Sequence, residues 1–311
     1  MNQFAGQPWV AVPKPTPPPY SCPDVLPYWT RALSHILRRM PPHYPGKMRF
    51  ARWALASTIT RTNVIVDVAA GLFIVPHLAE PVAFNLLVNG VYEPETAGYL
   101  VSHLQLGDVV VDIGANIGTF SLMAARLVGS SGRVLAIEAS PKVFPYLAKN
   151  IEMSQLGNIQ AFHCAAANRN AESVSFWEAP DDKFGMGALA PQFNTEPCRI
   201  AAYKLDDLLR SAGIKQVAVI KLDVEGAEAN VLQGALDLLQ NSVAPAVVFE
   251  FCDWAEARFP GHRPGDAQRL LMDLGYEIWR LNDFDRGGQP IPEPLSSGFG
   301  MLVATRMRTG S

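Results

Sequence analysis

Several things are scarce in this chain, and each shortage narrows what it can do. Only four cysteines occur, Cys22, Cys164, Cys198 and Cys252, and no two stand at a paired or metal-ligand spacing. That speaks against a zinc centre and against a disulfide framework, and leaves a reduced, cytoplasmic protein as the expectation. No stretch is long and apolar enough to cross a bilayer. The most apolar window, residues 63–79, is interrupted by Asp67, Gly71 and Pro76. The N-terminus lacks a charged start followed by an apolar run, so no secretory signal is expected. A net charge of −3 lacks the basic excess of a nucleic-acid binder.

What is present is a core. The chain has 311 residues, 49% of them hydrophobic, enough for one large domain or one domain plus an extension. Its centre of gravity is Val109-Val-Val-Asp-Ile-Gly-Ala-Asn-Ile-Gly118. The apolar run predicts a buried strand, Gly114 and Gly118 a turn, and residues 119–127 an apolar-faced helix. Glycines there let backbone approach a ligand, and the free N–H groups of the helix start face it. The spacing is Asp-x-Gly-x-x-x-Gly rather than the Gly-x-Gly-x-x-Gly of a dinucleotide site, which disfavours a nicotinamide oxidoreductase. The next strand, residues 133–138, ends in Glu138, placed to accept both hydroxyls of a ribose. Ala165 and Ala166 follow a third strand, and their small side chains leave room for a flat adenine ring. Glu93, just ahead of Pro94 at a helix start, suits a cap or the amino group of a ligand.

A second cluster is Val217-Ala-Val-Ile-Lys-Leu-Asp-Val-Glu-Gly-Ala-Glu228, a buried parallel strand delivering Lys221, Asp223, Glu225 and Glu228 to the start of a helix over 227–240. In open α/β sheets the ligand sits beyond the carboxyl ends of the strands, and gathering like charges there for structure alone is costly. His163, alone in a strand, reads as structural. Strands and helices alternate from Val109 onward, which predicts a doubly wound, mostly parallel sheet with an antiparallel last pair.

The runs Val-Asp-Ile-Gly-Ala-Asn-Ile-Gly at 111–118, Ile-Glu-Ala-Ser-Pro ending at Pro141 and Ile-Lys-Leu-Asp-Val-Glu-Gly-Ala-Glu at 220–228 together resemble the FkbM family of S-adenosylmethionine-dependent methyltransferases. Leu205-Asp206-Asp207 and Gly90-Val-Tyr-Glu93 match its pattern too, so the resemblance covers residues 88–255. It implies a Rossmann-like class I methyltransferase fold, with seven strands and a reversed final one. It also implies methyl transfer to a hydroxyl of a sugar or natural product, with S-adenosylhomocysteine as product. On this reading Asp112, Gly114, Asn116 and Gly118 hold the amino-acid part of the donor and Glu138 its ribose. Asp223 or Glu225 is the base, and Lys221 positions or tunes it. A magnesium or calcium ion on the carboxylates 223, 225 and 250 is a less favoured variant, because no metal spacing is evident. Carboxyl methylation of a peptide and a catalytically silent donor-binding module are the alternatives.

Three segments are expected: a Pro-rich leader over 1–27, a helical and hairpin extension over 28–100, and the methyltransferase domain over 101–311. A helix ending at Arg38-Arg39 should bury Trp29, Leu33, Ile36 and Leu37 on one face. No acidic residue lies between Val25 and Val66, whereas Arg31, Arg38, Arg39, Lys47, Arg49, Arg52 and Arg61 do. The plain role for this segment is a surface helix whose arginines complement its dipole; the sharper one is a collar for an anionic substrate or surface. Exchange of the arm between subunits would give a homo-oligomer.

Overall fold

Val109, Val110 and Val111 are successive and apolar because their strand is covered on both faces. The computed structural model, which describes residues 23–306, places β4 (Val109–Ile113) inside a seven-stranded sheet. The leader lies outside the described residues as far as residue 22. Its last part forms β1 (Asp24–Val25), which pairs in parallel with β2 (Thr62–Val68). The helices α1 (Tyr28–Arg38), α2 (Lys47–Ala54) and α3 (Ala56–Ile59) follow, and β2 forms the expected hairpin with β3 (Gly71–His77). Next come α4 (Pro81–Asn89) and α5 (Pro94–His103). α5 runs across residue 100, where the domain boundary was expected.

The expected apolar face of α1 is wrong in part. Thr30, Ser34 and Leu37 are buried, while Trp29 and Ile36 point to solvent. α1 packs on α4, and Thr30 reaches the Thr58 hydroxyl of α3 at 3.3 Å.

The main domain then alternates: α6 (Thr119–Val128), β5 (Arg133–Glu138), α7 (Phe144–Ser154), β6 (Ile159–His163), with β7 (Ala165–Ala166), β8 (Ala171–Phe176) and β9 (Cys198–Tyr203) forming a small side sheet. It continues through α8 (Leu205–Ser211), β10 (Val219–Leu222), α9 (Glu228–Gln233), α10 (Leu236–Leu239), β11 (Ala246–Cys252), α11 (Asp253–Glu256), α12 (Asp266–Asp273), β12 (Glu277–Arg280), α13 (Leu281–Phe284) and β13 (Phe299–Thr305). The sheet order is β12-β13-β11-β10-β4-β5-β6, parallel except that β13 runs antiparallel to both neighbours. This is the doubly wound seven-stranded α/β architecture with a reversed strand.

Local corrections have local causes. The helix expected over 227–240 breaks at Gly234, where a Cβ would lie 2.0 Å from the Ala167 carbonyl oxygen. Asp206, in the first turn of α8, accepts from the N–H groups of Asp237 and Leu238 at 2.9 and 3.1 Å, at the start of α10. Ser140 caps the turn that precedes α7, accepting from the Val143 N–H at 3.1 Å, and the helix begins only at Phe144.

The N-terminal extension is not a separate core. Its buried residues from Leu26 to Val88 pack with Ile117, Leu122, Val143 and Tyr146 of the main domain. Asn150 of α7 ties the two together. Its side chain accepts from the Ile74 N–H at 2.7 Å and donates to the carbonyls of Ile74 and Ile117 at 3.1 and 2.9 Å.

Candidate active site

Parallel pairing brings the ends of β4, β5, β10 and β11 level, so the loops after them close around one space. That space is a cavity of about 250 Å³. On one side it is lined by Gly114, Asn116, Glu138, Ala165 and Ala166, and on the other by Lys221, Asp223, Glu225 and Glu250. Nine of the residues singled out from sequence therefore meet in one place.

The glycine turn works through close approach. Gly114 has φ +73°, and a Cβ on it would fall 1.8 Å from the Asp223 carbonyl oxygen. The two motifs touch here backbone to backbone, which only glycine permits. Asn116 adopts a left-handed φ of 51°, held by its own side chain accepting from the Ile117 N–H at 2.7 Å. Its N–H and that of Ser140 donate to the two oxygens of Glu138, at 2.9 and 2.8 Å. Each carboxylate oxygen keeps a second lone pair for a ligand hydroxyl. Burial pushes Glu138 up to about 7, against the pull of those two N–H groups.

Asp112, Gly118 and Glu93 stand behind the cavity rather than on its wall. Asp112 is buried, accepts from the Ser121 hydroxyl at 2.5 Å and lies 3.9 Å from the Lys221 ammonium. Gly118 makes room for Leu147 and Leu122. Glu93 sits at the N-cap position of α5 with φ 43° but caps nothing; it accepts from the Thr96 hydroxyl at 3.0 Å. Burial and the Asp223 charge raise its pKa.

Lys221 is the pivot of the charge cluster. It is 3% exposed and donates to the Gly114 carbonyl and to Asp223, both at 3.2 Å, with its ammonium over the Phe120 ring. Burial alone would depress its pKa, but Asp223, Asp112 and Glu93 outweigh it and hold the lysine charged. Glu225 has a left-handed φ of 56°. Burial, then Asp223 and Glu228, push it up to about 8. Glu228 is structural: buried, it accepts from the N–H groups of Val224 and Gly226 at 3.0 and 3.3 Å and fixes the turn. Gly226 is required there because a Cβ would meet the Ala255 carbonyl oxygen at 2.3 Å.

Glu250 was legible as an acid at a strand end and as a third carboxylate of the less favoured metal variant, but not as part of the donor or base site. It lines the cavity with Asp223 and Glu225, and burial together with those charges raises its pKa. Also missed were Tyr92, Trp254 and Phe299, which come from three separate segments. The loop from Phe184 to Leu189, with glycines at 185 and 187, also lines the cavity. Gly185 lies so close to Asn116 that a Cβ would fall 2.3 Å from its amide nitrogen. His163 is outside, stacked on Phe144 at 4.6 Å. Among the described residues no three His, Cys, Asp or Glu side chains converge as a metal centre needs, and no helix is long and apolar enough to cross a membrane.

The model of the methyltransferase FkbM domain matches residues 112–278 of this chain. A protein named Methyltransferase 1 from Beauveria bassiana is 30% identical over 191 residues, 54% of this chain and 72% of its own length. The hexuronic acid methyltransferase AglP of Haloferax volcanii is 27% identical over 192 residues, 61% and 73% of the two chains. The 31-O-demethyl-FK506 methyltransferase FkbM of Streptomyces tacrolimicus is 28% identical over 162 residues, 43% and 62%. Among solved structures, Aeropyrum pernix fibrillarin with bound S-adenosyl-L-methionine aligns over 78% of this chain and 93% of its own, at 17% identity and a TM-score of 0.41. At that score the sheet order above, not this likeness, carries the fold assignment.

Proposed function

Because the chain belongs to the FkbM methyltransferase family, whose model spans more than half of it, we propose that this cavity binds S-adenosylmethionine and passes its methyl group to a hydroxyl oxygen. The acceptor is a sugar or a related small natural product. The donor, when bound, supplies a methyl already activated on a sulfonium and leaves as S-adenosylhomocysteine.

The chain's own residues suit both ends of this donor. Glu138 at the end of β5 accepts the ribose hydroxyls, and Ala165 and Ala166 give the adenine a smooth apolar wall. Gly114 and Asn116 frame the amino-acid part, with Asp112, Gly118 and Glu93 supporting from behind. Asp223, Glu225 and Glu250 gather around the single ammonium of Lys221, so a bound cation would draw these carboxyls toward their ionised form. That suits a cationic sulfonium.

The observation that carries the reading is Glu225. A hydroxyl must lose its proton as the new carbon–oxygen bond forms, and a base works best with a pKa near the working pH. Glu225, pushed up to about 8 on the cavity wall, takes that proton as the sulfur–carbon bond breaks. Lys221 keeps Asp223 fixed beside it, so that pair positions the base.

Titration calorimetry with S-adenosylhomocysteine tests the donor site. Wild-type protein should bind it, and Glu138→Ala should weaken binding by about 2 kcal/mol, the worth of hydrogen bonds to a charged group. Unchanged affinity in the variant would remove Glu138 from the ribose role. Binding without methyl transfer to any acceptor would favour the silent module.

A further inference from the structure

Outside the cavity, the feature that the proposed activity does not use is the outer face of α1 and α2. We infer that this face docks the protein on an anionic phospholipid surface.

Between Asp24 and Asp67 lie seven Lys and Arg residues and no acid, whereas the rest of a −3 chain holds 19 Lys and Arg against 29 Asp and Glu. Four of the seven cations are spent internally. Arg38 donates to the carbonyls of Leu87 and Asp67, and Lys47 to that of Met40. Arg52 covers the Phe84 ring, and Arg61 pairs with Asp24. Arg31, Arg39 and Arg49 are exposed and form no ion pair among the described residues.

The same helices expose apolar groups. On α1, Trp29 and Ile36 lie seven residues apart on one flank, and Ile36 is 58% exposed. On α2, Trp53 is 76% exposed and touches the half-exposed Phe50 ring at 5.9 Å. Exposed tryptophan and aliphatic side chains on the same helical segment as unpaired arginines, in a stretch with no acid, match the interface of a bilayer, where the rings sit at headgroup depth and the cations meet lipid phosphates.

Other occupants match less well. A second copy would bring two cationic faces together. A single-stranded nucleic acid would use arginine and flat rings, but it has no use for Ile36 and would have to run past the −10 remainder of the chain. A bilayer touches this face alone. The face connects to the active site through α4, which packs under α1 and whose first residues, Pro81 and Val82, line the cavity.

The test is co-sedimentation of the full chain with vesicles of phosphatidylcholine alone, or mixed with phosphatidylglycerol. Binding is expected only to the mixed vesicles and should be lost in about 0.5 M salt, where the Debye length shrinks to ~4 Å. Replacing one arginine, as in Arg39→Ala, should lower partition about fivefold. Joint replacement of Trp29→Ala and Trp53→Ala should also lower it, with the circular dichroism spectrum unchanged. Brominated acyl chains should quench wild-type tryptophan fluorescence more than that of the double variant. Failure to sediment, equal binding to neutral vesicles, or binding of a single-stranded RNA oligonucleotide without binding to vesicles would overturn the inference. So would a dimer that the two tryptophan replacements dissolve.

Discussion

Replacing Glu225 by glutamine keeps the shape of the side chain and removes its capacity to take a proton. Its ordinary pKa of 4.5 is raised to about 8 by burial and by Asp223 and Glu228. At pH 7 a group with that pKa is ionised in roughly one molecule in ten, so kcat/KM should rise about tenfold between pH 7 and a plateau above pH 9. That profile reports the enzyme before the donor binds. A bound sulfonium favours the ionised carboxylate, so the rise in kcat should be centred at lower pH than the rise in kcat/KM. In Glu225→Gln the plateau should fall by about 10²- to 10⁴-fold, the usual worth of a general base, and the rising limb should vanish. Initial rates with a hydroxylated acceptor, followed as S-adenosylhomocysteine release from pH 6 to 10, measure both. A variant that keeps its rate, or keeps a limb centred near 8, would refute the assignment and turn attention to Glu250.

Other perturbations should separate support from chemistry. Gly114→Ala forces a Cβ into the Asp223 carbonyl at a left-handed φ; it should lose more than about 3 kcal/mol in urea unfolding, and near-normal stability would mean that the two motifs do not touch. Lys221→Met leaves Asp112 and Asp223 without their cation and should cost about 3–5 kcal/mol, measured the same way. Burial raises Glu80, Glu138 and Glu228 to about 7 and Glu225 and Glu256 to about 8. The folded state therefore holds protons that the unfolded chain releases near 4.5, and stability should fall as pH rises from about 4.5 through 8. A thermal midpoint at pH 8.5 equal to or above that at pH 5.5 would contradict these shifts.

The parts of this site that were legible in sequence are those in which one short segment contains both the strand and its ligand-facing end. Val109–Gly118 and Val217–Glu228 are of that kind, and their apolar runs mark burial while the glycines mark contact. Glu250 carries no local sign of a donor or base role because its importance lies in lining the cavity with Asp223 and Glu225 from the neighbouring strand. Trp254, Phe299 and Tyr92 converge only after the sheet forms. The α1 face was misjudged because the buried positions are held by the small polar residues Thr30 and Ser34, Thr30 bonding to the Thr58 hydroxyl of α3, a packing demand that hydrophobic periodicity does not register. Asp206 shows the same limit: it lies in the first turn of α8, while the N–H groups it satisfies belong to α10, some thirty residues on.

Asn150 gives the hairpin a part in the life of the glycine turn. One amide holds both hydrogen-bonding groups of Ile74 and the carbonyl of Ile117, with no water needed between them. If the hairpin lifted from α7, Asn150 would lose both bonds to Ile74 and with them the constraint that aims its amide at the Ile117 carbonyl, in the turn after Gly114. A deletion that treats the first hundred residues as removable ornament would therefore leave not a smaller enzyme but a donor loop that has lost its anchor.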